Sequence, residues 1–125
     1  MPAARANGVS PYVGDGANRW PAVHRLDAAH LFRLAVESAP AGSRLHGVAD
    51  EGVPVRDIAA VIGRQLSLPV TGISPEQAQR HFDWLAVFVA VDCPASSTLT
   101  SQRLDWHPAH PGLIADIEKD HYFTD

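Results

Sequence analysis

The apolar residues of this chain come in short segments, each closed by a residue that starts or stops a helix. The longest apolar run, Trp84 to Val91, is far shorter than the roughly 20 residues that span a bilayer. No membrane partner is therefore expected. What remains is a fold built from brief elements with frequent turns.

The helix signals are the clearest. Ser74-Pro75-Glu76-Gln77 places a serine cap, a proline at the first helical position and a glutamine where a capping box needs it. Asp27 is a good N-cap residue, followed by Leu31, Leu34 and Ala35 at helical spacing. Ser38 to Ser43, with Pro40 and Gly42, ends that helix. Pro54 suits a first helical residue, and Ile58, Ala59, Val61, Ile62 and Leu66 continue the pattern. Gly63 inside this helix costs about 1 kcal/mol against alanine, which points to close packing there. Trp84 to Val91 reads as a buried helix, and Ser97 to Leu104 and Gly112 to Lys119 as short ones. Asn7-Gly8 closes a helical turn over Ala3 to Asn7.

Strands are expected at Tyr12-Val13, Ala22 to Leu26, Leu45 to Val48 and Val70 to Ile73, with a turn at Asp50-Glu51-Gly52. Pro21 fits the start of the second strand but not its centre. The alternation of short strands and helices predicts an α/β fold whose C-terminal half is mainly helical. A length of 125 residues favours a single domain. The formal net charge of -4 gives no basic face for nucleic acid. Cys93 is the only cysteine, so no disulfide within the chain is possible, which suits a reducing, cytoplasmic setting.

Gly14-Asp15-Gly16 resembles a phosphate loop. A dinucleotide fingerprint needs a third glycine and a following helix. Here Arg19 stands at the third glycine position, and Pro21 with a strand follows. A turn between strands is the better reading. Arg19-Trp20 is a pair favoured at binding sites; Trp20 could equally be a lid on the core. His107 and His110 are broken apart by Pro108 and followed by Pro111, so they lack the helical face of a zinc site. Cys93, before Pro94, is expected to be buried and inert. Phe82, Trp84 and Phe88 form an aromatic group that is either core or a pocket wall.

Val23-His24-Arg25-Leu26-Asp27 running into AAHLFRLAVE, then LHGVADEGVPVRDIAAVIG over Leu45 to Gly63, then Leu104-Asp105-Trp106-His107-Pro108 before PGLIADIE, together resemble a known pattern. It is that of the extended short-chain dehydrogenase/reductases, the NAD-dependent epimerase/dehydratase family. Their corresponding segments read VH-x-x-D, VSVREIAEAIG and LGWxP, so Asp105 stands where the family has glycine. The resemblance runs from about Ala3 and is to the family's C-terminal, substrate-binding part.

The resemblance implies a partial Rossmann-like chain over residues 1–125 without the N-terminal cofactor-binding half. The family's Gly-rich loop and Tyr-x-x-x-Lys pair are not matched: Tyr12 is followed by Asp15-Gly16, and Tyr122 has no lysine after it. No catalytic, cofactor-binding or metal residue is expected in this chain. NAD or NADP would serve a full-length relative, in which hydride passes between nicotinamide and substrate. Asn18, Arg19, Trp20, His24, Phe82 and Trp84 are the implied substrate-binding residues. The family's phosphate-holding arginine lies four residues before the histidine, where this chain has Trp20. A small carbonyl or hydroxyl compound therefore fits better than a sugar nucleotide. The alternatives are a non-catalytic binding or interaction protein derived from the fold, and a metal hydrolase using the histidines. Phe32, Leu34 and Val36 occupy more than one side of their helix, so self-association or packing on a missing half is expected.

Overall fold

The computed structural model describes residues 2–124. The fold is α/β, with two separate two-stranded sheets held together by helices. Helix α1 (Pro2–Asn7) ends at Gly8, whose positive φ of 71° allows the chain to turn back. Strand β1 (Ser10–Val13) pairs in parallel with β4 (Val70–Ile73), with Tyr12 opposite Gly72. Strand β2 (Arg19–Ala22) pairs antiparallel with β3 (Asp50–Pro54). Helix α2 (Arg25–Ser38) and helix α3 (Val55–Leu66) complete this half. Helix α4 (Pro75–Phe82), α5 (Ala86–Ala90), α6 (Thr98–Leu104) and α7 (Leu113–Ile117) follow.

Two small sheets would be marginal alone. Helix α3 joins them, touching β1, β3, β4 and α7. Its apolar residues Val55, Ala59 and Val61 are buried. Ser10, at the start of β1, is also buried, and its Oγ donates to the Ala59 carbonyl at 2.7 Å. At Gly63 the helix lies close against β4 and the residues before it. A Cβ there would lie 2.3 Å from Val70 Cγ2 and 3.0 Å from the Leu68 carbonyl oxygen.

The second core gathers around Trp106, which is fully buried with Leu31 and Leu104. Its Nε1 donates to the Asp27 carbonyl at 3.0 Å, so burial of the indole leaves no polar atom unpaired. The third cluster, Ile73, Ala78 and Ala86, packs with Val13 and Phe82 beneath α4. The predicted capping box is present: Ser74 accepts from the Gln77 amide, and Gln77 accepts from the Ser74 amide.

Several expected boundaries move. The second strand lies at Arg19–Ala22, not Ala22 to Leu26. His24, not Asp27, caps α2, its Nδ1 accepting from the Leu26 amide at 3.1 Å. Pro21 sits inside the strand, at the irregularity between the Trp20 and Ala22 pairings. Having no N–H to offer the ladder, it is tolerated where pairing skips a residue. Pro54 is likewise the cap, one residue before α3 begins.

Leu45 to Val48 forms no strand, and the expected turn at Asp50-Glu51-Gly52 is strand β3. The reason is that α6 satisfies the earlier segment instead. His46 donates its amide to Thr100 Oγ1 at 2.8 Å, and Ser97 Oγ donates to the Val48 carbonyl. Trp84 to Val91 is not one buried helix. Asp83 adopts φ 53°, ψ -124° and breaks the chain into a 3-10 turn, Asp83–Leu85, before α5. Trp84, Val87 and Phe88 are left exposed.

Two substitutions test this account of the backbone. Asp105 holds a left-handed conformation at φ 51°, ψ 41°, which costs about 1 kcal/mol for a residue with a Cβ. Asp105→Gly should raise stability by up to about 1 kcal/mol in urea unfolding. Gly63→Ala should do the opposite. Its gain in helix propensity, about 1 kcal/mol, is outweighed by overpacking against Val70, and a net loss of about 1–2 kcal/mol is expected.

Candidate functional site

The first cavity has a volume of about 400 Å³ and opens between α1, β1, α3 and α4. Its wall is mostly apolar, with Ile58, Ile62, Phe82 and Val89 among the lining side chains. Trp20 closes one side from β2, half-buried. His81 is the titratable side chain in that wall, and its Nδ1 is buried with no hydrogen-bond partner among the described residues. An apolar cavity of this size with few polar groups is the usual form of a small-molecule site.

The sequence-predicted residues divide around it. Trp20 and Phe82 both face the cavity. Asn18 stands behind the wall: its Nδ2 donates to the Val89 carbonyl at 2.7 Å and to that of Val91 at 3.2 Å. Asn18 thus anchors the end of α5 and positions Val89. Arg19 points to Asp92, with Nη2 and Oδ2 3.0 Å apart on the surface. Hydrogen bonding and charge attraction from Asp92 raise the Arg19 pKa, and the same pairing lowers that of Asp92. Trp84 does not join the others; it is 71 % exposed and meets Phe88 edge-on, with ring centroids 6.3 Å apart. Cys93 is exposed, not buried as expected, because the helix before it ends at Ala90 and residues 92–95 run over the surface.

His24 lies at a second cavity of about 390 Å³, lined also by Arg25, Leu113, Asp116, Ile117 and Tyr122. Its Nδ1 is committed to the Leu26 amide, so the neutral ring carries its proton on Nε2, 3.7 Å from Asp116 Oδ1. His110 stacks on it, with ring centroids 4.7 Å apart and planes 16° from parallel. His110 Nδ1 in turn lies 2.7 Å from Asp27 Oδ1. Sequence reasoning missed this last pair, since Asp27 reads locally as a cap and His110 as a residue of a proline-broken loop.

Asp27 is buried, and burial alone would push its pKa up. The hydrogen bonds from the Ala109 and His110 amides and the His110 ring more than offset that, and the net shift is downward. Asp116 is also lowered, chiefly by the Tyr122 hydroxyl, which donates to its Oδ2; the same bond raises Tyr122. Among the described residues no group of three or more histidine, cysteine or acidic side chains could hold a metal. No helix among them is long and apolar enough to cross a membrane.

A dinucleotide does not fit the glycine turn. Gly14-Asp15-Gly16 leads into β2, and Asp15 Oδ1 accepts from the Ala17 amide at 3.0 Å. A Cβ at Gly16 would meet Arg56 at 2.5 Å and Tyr12 at 2.7 Å, so this glycine is required by the protein's own packing. No helix N-terminus follows to receive a pyrophosphate.

With this geometry established, comparison with known proteins is informative about fold. The chain is similar over its length to part of a dTDP-glucose 4,6-dehydratase from Streptomyces venezuelae, whose structure holds NAD. The TM-score is 0.65 at 17% sequence identity, covering 98% of this chain and 37% of that one. The chain therefore shares the Rossmann-like α/β fold of that part of the dehydratase. In sequence, the chain is 52% identical over 120 residues to an uncharacterized protein of Schizosaccharomyces pombe. It is 48% identical over 117 residues to an uncharacterized protein of Saccharomyces cerevisiae. These matches cover 96% and 94% of this chain but only 41% and 39% of the relatives, so the chain spans about two fifths of their length. No family model matches it.

The lowered carboxylates give a pH prediction. A carboxylate whose folded pKa is depressed contributes stability above its unfolded value, near 3.9, and loses it as pH falls through the folded value. The wild-type chain should therefore lose stability steeply in acid. Asp27→Asn should be less stable at neutral pH, with a shallower further loss below pH about 4. Urea unfolding at neutral and acid pH measures both.

Proposed function

We propose that this chain forms the substrate-binding portion of an NAD(P)-linked oxidoreductase of the epimerase/dehydratase kind, acting on a small carbonyl or hydroxyl compound. The observation that carries the reading is the apolar cavity of about 400 Å³ in a fold similar over 98% of the chain to a dehydratase. Trp20 and Phe82 supply its aromatic walls, and Asn18 holds Val89 in place. A lone imidazole in an otherwise apolar wall suits a neutral ligand with one hydrogen-bonding group. Arg19 is bound to Asp92 on the surface, which argues against a phosphate-bearing substrate at this point. His24 and Trp84 stand outside the cavity and are not part of this reading.

The Gly14-Asp15-Gly16 turn does not suit a dinucleotide, so in this reading the cofactor is held by a part of the enzyme outside these residues. The exposed Phe32 and Val36 on α2 and Trp84 and Phe88 beyond α4 support packing on a further domain or a second copy. The test uses calorimetry on the purified chain. Benzaldehyde and benzyl alcohol should bind saturably, and Trp20→Ala should weaken that binding at least about fivefold through lost aromatic contact. NADH and NADPH should show no micromolar binding. Tight binding of either cofactor, or apolar ligand binding indifferent to Trp20, would overturn the reading.

A further inference from the structure

The carboxylate of Asp27 is almost completely buried and fixed in direction by the Ala109 and His110 amides, each at 3.0 Å. An ionised carboxylate can only accept. The His110 nitrogen 2.7 Å away must therefore be the donor, so Nδ1 carries the proton. The neutral ring then keeps its lone pair on Nε2. Among the described residues Nε2 has no hydrogen-bond partner, and the side chain is 39% exposed. The ring cannot easily turn away, because His24 stacks flat against it and is itself held by the Leu26 amide. His24 is also a wall of the second cavity, beside Arg25, Leu113, Asp116 and Tyr122. A basic nitrogen of fixed tautomer thus belongs to a part-exposed ring stacked on His24, a wall residue of the second cavity.

We propose that Asp27 and His110 form a hydrolytic centre for small activated esters, with His110 as nucleophile and Asp27 as its positioning residue. This activity is independent of the oxidoreductase reading and of the first cavity. Nε2 attacks the ester carbonyl carbon, the bond to the leaving oxygen breaks, and the electron pair departs with it. The acyl group is then on Nε2 while the Nδ1 proton stays against Asp27, which stabilises the cationic ring. Water attacks the same carbon, the C–N bond breaks, and its electron pair returns to Nε2. The water oxygen and one hydrogen go to the acid; the other hydrogen goes to the leaving group. No acid is aimed at the leaving oxygen, so the leaving group must be stable as an anion. Aryl or enol esters with a short acyl group meet that condition.

The experiment follows 4-nitrophenolate released from 4-nitrophenyl acetate by the whole chain. His110→Gln should lower the rate at least about tenfold, within the range of a lost catalytic imidazole. His107→Gln, on the exposed neighbour, should leave it unchanged. Equal rates for wild type and His110→Gln, or an equal loss with His107→Gln, would overturn the proposal. Because Asp27→Asn risks unfolding the chain, the role of Asp27 is read from nitrogen-15 NMR of the wild type. The neutral His110 ring should be protonated on Nδ1; protonation on Nε2 would overturn the assignment.

Discussion

One buried carboxylate ties the N-terminal and C-terminal halves of this chain. Asp27 sits in the first turn of α2, and its side chain receives the Ala109 and His110 amides and the His110 ring. Its own carbonyl accepts the Trp106 indole. These partners lie 79 to 83 residues away in sequence. The residues that would otherwise form a proline-broken loop are thereby pinned, and Trp106 is delivered into the space beside Leu31 and Leu104. Removing a buried acceptor with several donors leaves each donor unpaired, a penalty of about 1–3 kcal/mol per group. Position 27 is thus a fold determinant as well as the partner of the His110 ring.

The two cavities differ because their walls come from different kinds of contact. Around the first, the helices α3 and α4 present aliphatic and aromatic side chains to β1; of the polar groups there, Ser10 Oγ is already satisfied by Ala59, and His81 Nδ1 is left unpaired among the described residues. Such a cavity can select for shape and apolar area but offers little electrostatic discrimination. The second is bounded by groups whose charges are arranged against each other: Asp116 receives Tyr122, lies near His24, and has Lys119 Nζ at 3.5 Å. His110, whose ring stacks on His24, keeps Nε2 without a hydrogen-bond partner among the described residues. After Asp83, with its positive φ, the chain lays Leu85 and Val89 along the first cavity and leaves Trp84 and Phe88 exposed.

What could be read from the sequence follows the range of the forces involved. Helix ends are decided within a few residues, so the Ser74 box, the Gly8 stop and the Gly63 approach were all legible. Strands of four or five residues carry too little pattern, and their partners are distant: Tyr12 meets Gly72, and Trp20 meets Val53. Asp50-Glu51-Gly52 has turn chemistry, yet the pairing with β2 makes it a strand. The same limit explains Asp27. A local reading makes it a cap, but His24 does that work, freeing the carboxylate for long-range contacts. Of the candidate binding residues, Trp20 and Phe82 meet at one cavity because β2 and α4 converge there. That convergence has no signature in either segment.

Asp105 shows how a family pattern and a local conformation can be separated. The motif that resembles LGWxP has aspartate where glycine would be expected, yet the backbone keeps the left-handed turn at φ 51°. Aspartate is among the residues that tolerate this region best, and here its Oδ1 is 2.8 Å from His107 Nε2 on the surface. The turn is imposed from both sides: α6 ends before it, and Trp106 must enter the core after it, where its indole meets Asp27. The glycine is thus a convenience and the turn a requirement. Contacts on either side hold the conformation whatever residue occupies it, and the identity of that residue adjusts only its cost.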